Sequence, residues 1–246
     1  MLIQIEINTT CNFKCFYCYG RSIPQVVMDF DTFIGIMNGL PTGKHTINLQ
    51  GEGEPTLHPQ FWDMVALVKA KGHNPYTITN GNAINTDNIK ENFTSIGISL
   101  DTLDATEATR IGRFNLPKVI ANFESLVTCM GADNVTVMTV NYGQKLLPLI
   151  NYVKFNGIKN HIIQPLQTKD DYAKSHSTSE AVKCYTYSCD ILNKRIMLSY
   201  GVSGIVKPCC FIKDESQYVS IADLKATLKA KRVPPSCAGC KQIISH

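Results

Sequence analysis

Cys11, Cys15 and Cys18 fall within an eight-residue span near the start of the chain. Thiolates bind soft metals, and three on one tight loop can hold three irons of a cubane while leaving the fourth without a protein ligand. Such an open iron can be chelated by a molecule that carries an amine and a carboxylate. Zinc is the competing occupant. Structural zinc takes four closed ligands, usually as two pairs from separate loops, and this loop has no obvious fourth partner. Six further cysteines, Cys184, Cys189, Cys209, Cys210, Cys237 and Cys240, crowd the other end, and Cys129 stands alone on the apolar face of a helical stretch, as a core cysteine does. In a reducing compartment clustered thiols serve as metal or redox ligands more often than as disulfides. Ten cysteines so arranged point to two metal sites.

Short β-rich runs at 2–8, 45–50, 75–80, 95–100, 135–140 and 161–164 alternate with helical stretches near 31–40, 60–71, 86–92, 116–130 and 145–156. The Phe61, Met64, Val65, Leu67, Val68 stripe has helical period, and Gly72 stops it. This alternation predicts a parallel sheet with helical crossovers, and six βα units fall short of the eight that close a barrel. The first thiol loop follows the first strand, where a barrel places its chemistry. The pattern changes after residue 167. Residues 168–180 are polar and loop-like, 195–200 and 204–208 bracket a glycine-containing turn and read as a hairpin, and a short helix near 221–231 runs to Pro234-Pro235. So small a unit needs a metal staple, and it holds six of the cysteines. The expected architecture is a partial (β/α)6 TIM-like barrel over 1–167, with a small C-terminal α+β unit over 168–246.

The formal charge of +4 comes from 24 basic and 20 acidic residues, and the lysines are scattered, which excludes a nucleic-acid-binding stripe. There is no run of about 18 apolar residues, and the N-terminus has neither a basic region nor a cleavage site, so a cytoplasmic protein with no membrane partner is expected. The six histidines show no metal-ligand spacing, and His58, in Leu57-His58-Pro59, reads as a helix-entry residue.

The segment Asn8-Thr9-Thr10-Cys11-Asn12-Phe13-Lys14-Cys15-Phe16-Tyr17-Cys18-Tyr19 closely resembles the cluster-binding loop of the radical S-adenosylmethionine superfamily, a Cys-x3-Cys-x-aromatic-Cys pattern with Tyr17 as the aromatic. Gly51-Glu52-Gly53-Glu54-Pro55 follows the second strand and resembles that family's Gly-Gly-Glu-Pro segment, whose backbone and acid bind the methionine amino group of the cofactor. Glu52 replaces the usual first glycine, so Gly53 and Glu54 are the residues carried over. Thr79-Asn80-Gly81 and Ser99-Leu100-Asp101 end the third and fourth strands and resemble positions that touch the cofactor's carboxylate or ribose. The resemblance thus implies cofactor contacts at Tyr17, Gly53, Glu54, Asn80, Ser99 and Asp101, with Tyr17 bordering the adenine. Arg110 or Arg113 is a candidate partner for the carboxylate, with solvated surface arginines as the alternative. Val140-Asn141 and Gln164-Pro165 end strands five and six, near where family members meet the adenine.

Cys189, a spacer of fourteen residues, Gly204-x4-Cys209 and then Cys237-x2-Cys240 resemble the same superfamily's auxiliary-cluster module, the SPASM domain. The pattern stops after Cys240, which matches the shorter one-cluster form, the Twitch domain. The resemblance implies a second 4Fe–4S cluster on Cys189, Cys209, Cys237 and Cys240. A hairpin that gathers Cys189 and Cys209, a returning helix and a Cys-x2-Cys knuckle would suit zinc equally well. Cys184 and Cys210 are substitutes or spectators.

The resemblance implies that S-adenosylmethionine, bound at a 4Fe–4S cluster on Cys11, Cys15 and Cys18, is cleaved reductively to a 5′-deoxyadenosyl radical. This radical takes hydrogen from a small-molecule or peptide substrate. An electron donor such as flavodoxin or ferredoxin is implied, and the second cluster could accept an electron in a net two-electron oxidation or simply hold the small unit together. Peptide or protein maturation of the SPASM type is the second reading. The first strand starts almost at Met1, which leaves no domain for a leader peptide and favours a small molecule or a partner-delivered peptide. A non-catalytic iron–sulfur or zinc protein is the third reading, and it would have no use for the open site and the cofactor segments. Asp171 or Tyr172 is a candidate base.

Overall fold

The computed structural model describes residues 1–166, 186–194 and 197–245. Strands β1 (Leu2–Ile5), β2 (Thr46–Leu49) and β3 (Asn74–Tyr76) pair in parallel, as do β4 (Ile78–Thr79), β5 (Ile96–Ser99), β6 (Val135–Asn141) and β7 (Asn160–Pro165). Strands β3 and β4 are one extended segment interrupted at Thr77, whose hydroxyl donates to the Leu49 carbonyl at 2.6 Å. The result is the expected open array, six parallel strands joined by five helical crossovers, with no closure among the described residues.

Each crossover carries a helix: α1 (Phe30–Asn38), α2 (Phe61–Ala70), α3 (Thr86–Asn92), the pair α4 (Ala105–Arg110) and α5 (Leu116–Met130), then α6 (Leu147–Phe155). Local chemistry sets their ends. Asp29 and Asn85 accept backbone N–H groups at the starts of α1 and α3, and Gly72 and Gly131 take positive φ after α2 and α5. Helix α4 was not expected. It spans only six residues, too few for a hydrophobic stripe, and its signal is the Asp104-x-x-Glu107 cap, in which Asp104 accepts the Glu107 N–H at 2.9 Å.

The main core is the outer face of the sheet under these helices. Ile3, Ile5, Ile47, Leu49, Ile96, Ile98, Val135 and Val137 are buried with Phe33, Met64, Val68, Phe123, Leu126 and Leu149. The alternate residues of the first strand and its extension, Gln4, Glu6 and Asn8, take the opposite face and are equally buried.

The later segments are β8 (Tyr187–Cys189), α7 (Asp190–Lys194), β9 (Met197–Tyr200), β10 (Val206–Lys207), α8 (Ile221–Lys229) and β11 (Ile243–Ser245). The expected hairpin is β9–β10, but its first strand also pairs in parallel with β1, Leu2 opposite Met197 and Ile5 opposite Tyr200. Strands β8 and β11 form a separate antiparallel pair. Cys189, Leu192, Ile212, Leu224, Leu228 and Cys237 make a second, small core. Helix α8 stops at Lys229, ahead of the prolines, and Lys231 takes φ +60°. The expected boundary at 167/168, the 168–180 loop, Asp171, Tyr172 and Cys184 lie outside the described residues. No helix among the described residues is long and apolar enough to cross a membrane.

Phe123 is fully buried between α5 and the sheet. Phe123→Ala should lower unfolding stability by about 3–5 kcal/mol in urea titration, with little change in slope.

Candidate functional site

The thiol loop leaves β1 already anchored. The Glu6 N–H donates to the Tyr200 carbonyl at 3.1 Å, and Thr9 N–H donates to Val26 at 2.9 Å. Further on, Lys14 N–H reaches the Gly112 carbonyl at 2.9 Å, Phe16 N–H reaches that of Ile111 at 3.1 Å, and Cys18 N–H closes back on Cys15 at 3.0 Å. The buried Phe13 ring packs edge-on against Phe114. Gly112, at φ +86°, fits under the loop because it lacks a side chain: a Cβ there would lie 2.5 Å from the Lys14 carbonyl carbon and 3.1 Å from the Cys15 nitrogen.

Cys11, Cys15 and Cys18 line a cavity of about 260 Å³ at the C-terminal ends of the strands. Every expected cofactor residue, Tyr17, Gly53, Glu54, Asn80, Ser99 and Asp101, lines the same cavity, together with Arg113, Val140 and Gln164. Burial pushes the Cys18 thiol up to about 12 and raises Cys11 as well. The donor set fits an iron–sulfur cluster: three thiols line the cavity, beside a loop rich in glycine and acid. No three His, Cys, Asp or Glu side chains among the described residues are grouped as a single metal ion requires.

Two carboxylates organise the cavity. Glu54 is 2% exposed, and it accepts the Thr56 and Thr79 hydroxyls at 2.7 and 2.8 Å and the Asn80 N–H at 2.6 Å. Burial raises its pKa above the ordinary carboxylate range, against the pull of these hydrogen bonds. The Asn80 amide in turn donates to Asn12 at 2.7 Å and lies 3.8 Å from the Cys11 sulfur. Asp101 spends both oxygens on the protein. One accepts the Val140 N–H at 2.7 Å; the other meets Arg113 Nε at 2.9 Å and the Tyr17 hydroxyl. Arg113 also donates to the Ser99 carbonyl at 2.8 Å. The Tyr17 ring stacks on Tyr142, with centroids 5.7 Å apart.

The two candidate arginines therefore separate. Arg113 is in the cavity wall, whereas Arg110 is at the surface, 61% exposed and paired with Glu107. Identical residue types three positions apart gave no means of telling them apart. The partners Tyr142 and Gln144, whose amide holds the Asp101 and Val140 carbonyls, had no motif to mark them. Glu52 had one, its departure from the glycine pattern. Its carboxylate pairs with Lys213, which holds its pKa below the ordinary range despite burial. His58 acts at the entry to α2 as expected, its ring accepting the Gln60 N–H at 3.0 Å.

In the C-terminal segment Cys189 and Cys237 are buried in the small core and Cys209 packs against it. The Cys240 N–H donates to the Cys237 carbonyl at 3.1 Å, and Ile243, three residues on, pairs with Cys189 across β8–β11. Cys210 adjoins Cys209, and Cys129 is half-buried on α5 with its sulfur 3.7 Å from the Leu126 carbonyl.

Gly112→Ala should force the Lys14–Cys15 peptide to shift and cost about 2 kcal/mol of stability. Mass spectrometry after iodoacetamide treatment of the metal-free protein should show faster alkylation of Cys15, which is 8% exposed in the native loop.

The chain matches the Radical SAM superfamily over residues 5–155. An S-adenosylmethionine-dependent nucleotide dehydratase of Thermoplasmatales archaeon (strain ISO4-H5) is 33% identical over 114 residues, 45% of this chain and 41% of that protein. The tungsten-containing aldehyde ferredoxin oxidoreductase cofactor-modifying protein of Pyrococcus furiosus is 34% identical over 183 residues, 67% of this chain and 51% of that one. The chain spans about half the length of these curated relatives, or less. Streptococcus suis SuiB bound to S-adenosylmethionine, also solved bound to precursor peptide SuiA, shares the fold: TM-score 0.66 over 97% of this chain and 67% of that one, at 14% identity. The family match takes in the thiol loop and every strand from β2 to β6, and the chain belongs to the radical S-adenosylmethionine superfamily.

Proposed function

We propose that this chain is a radical S-adenosylmethionine enzyme whose cofactor binds in the cavity under the thiol loop. One observation carries the reading: three thiols and six cofactor-contact residues, drawn from four separate loops, line one cavity. Cys11, Cys15 and Cys18 supply three ligands to a 4Fe–4S cluster and leave one iron open. When bound, the reduced cluster and S-adenosylmethionine together supply a 5′-deoxyadenosyl radical that removes hydrogen from a small-molecule or peptide substrate.

The chain's own residues bind, orient and exclude water. Gly53, Glu54 and Asn80 receive the methionine end of the cofactor, and Glu54 is the acceptor for its amino group. Ser99 and Tyr17 border the nucleoside. Asp101 completes this wall, where it also holds Tyr17 and Arg113. Phe13, Ile78, Met138 and Val140 give the cavity its apolar lining, which protects a reactive carbon radical from solvent.

Cys189, Cys209, Cys237 and Cys240 hold a second 4Fe–4S cluster in a Twitch-like unit over residues 168–246. The support is a small core in which thiols stand among so few apolar side chains. When bound, such a cluster would take up an electron from the substrate radical or hold the small unit together, and flavodoxin or ferredoxin would supply the electron for the first site. The named relatives act on a nucleotide and on a cofactor, which favours a small molecule. The fold shared with SuiB keeps a peptide substrate as the second reading.

Anaerobically prepared protein should carry about eight irons per chain, measured by metal analysis; about four irons with one zinc would remove the second cluster. Replacing Cys11, Cys15 and Cys18 together by alanine should abolish formation of 5′-deoxyadenosine from S-adenosylmethionine and dithionite, measured chromatographically. Residual formation at the native rate would refute the assignment of the first cluster.

A further inference from the structure

Two lysines flank the Cys209-Cys210 pair in sequence; Lys213 ends on the barrel loop 51–54 and Lys207 on Glu6, which itself holds that loop. Lys207 pairs with the second oxygen of Glu6, their side chains 1% and 6% exposed. The first oxygen of Glu6 accepts the Glu52 N–H at 2.8 Å. Lys213 reaches the same loop directly through its ion pair with the Glu52 carboxylate, the two side chains 19% and 10% exposed. The Gly20 N–H also donates to that carboxylate, and the Glu52 carbonyl lies 3.9 Å from the Cys18 sulfur. At the far end of the loop the Glu54 N–H donates to the Thr10 carbonyl at 2.8 Å, and the Asn8 amide donates to the Glu54 carbonyl at 3.1 Å. The loop is thus held from the thiol-loop side by backbone and amide hydrogen bonds, and from the C-terminal side by Lys213 directly and by the buried Lys207 through Glu6.

A carboxylate this buried needs charged or polar donors around it, and Glu52 has Lys213 and the Gly20 N–H. With Lys213 gone, the Glu52 side chain loses its ion-pair partner, and the backbone between Gly51 and Glu54 loses its direct tie to the C-terminal segment. We propose that Lys213 is a positioning residue for S-adenosylmethionine: acting through Glu52, it sets the geometry of loop 51–54, and through it the C-terminal segment governs affinity for the cofactor. The proposal rests on the reading above that this loop receives the cofactor's methionine end.

The test uses the whole chain, reconstituted anaerobically, with the dissociation constant for S-adenosylmethionine measured by equilibrium dialysis and iron content measured alongside. Lys213→Met should weaken binding about tenfold at unchanged iron content, and Lys213→Arg should restore it to within about threefold of the parent. Glu52→Gln, which keeps the shape and removes the charge, should match Lys213→Met, and the double variant should be no weaker than either alone. That non-additivity and the rescue by arginine separate positioning through the ion pair from general loss of packing. If Lys213→Met does not accumulate as folded protein, Glu52→Gln carries the measurement. Parent-like affinity in Lys213→Met or Glu52→Gln, or arginine as weak as methionine, overturns the proposal and leaves the assignment of the loop standing. Absence of any binding by the parent chain overturns the assignment of the loop, and this proposal with it.

Discussion

The site depends on strand β1 being paired along both edges. Strand β2 bonds one side in register from Leu2–Thr46 to Ile5–Leu49, and β9 bonds the other from Leu2–Met197 to Ile5–Tyr200. A strand locked on both sides cannot slip by a residue, because a slip would exchange the faces of Ile3 and Ile5 with those of Gln4 and Glu6. The residues that follow inherit this register. Glu6 faces the loop that contains Glu52, Asn8 meets the Glu54 carbonyl, and the thiol loop begins three residues later. Parallel pairing then brings the ends of β2, β4, β5 and β6 to the same side of the sheet.

Buried carboxylates finish what the strands begin. Glu6, Glu52, Glu54 and Asp101 all lie near strand ends, and each has donors arranged around it: lysine for the first two, hydroxyls and an amide N–H for Glu54, arginine, phenol and an amide N–H for Asp101. An acid so satisfied is an inflexible strut, since every rotation breaks a charge-assisted bond. All four bind groups distant in sequence, so the loops around the cavity are held to one another rather than each to its own strand.

What could be read from sequence was what is local. Thiol spacing, strand alternation and helix stripes each fit within one element, and the elements found lie close to those expected. The pairing of β1 with β9 joins residues 195 positions apart and has no local sign, because Met197–Tyr200 reads as a hairpin strand whatever lies beside it. Asp101 could be read as a cofactor contact, but not as a residue whose oxygens the protein already occupies. Arg110 ends a six-residue helix too short to see, and Arg113 lies in the turn beyond it, so nothing local told which of the two would face the cavity. Glu52 shows where an irregular residue is informative: a charge in place of glycine requires a partner, and Lys213 is 161 residues away.

The pairing of β1 with β9 also orders events in time. Synthesis runs from the N-terminal side, so β1 is made before the strands that pair with it. One of its edges is covered once β2 has formed, some forty residues later, but the other has no mate until residue 200 is available. Until then a row of unpaired backbone donors and acceptors flanked by isoleucines lies open, the kind of edge that recruits strands from other molecules. A strand made late thus seals one made early, and an arrested or truncated nascent chain would expose that bare edge to its neighbours.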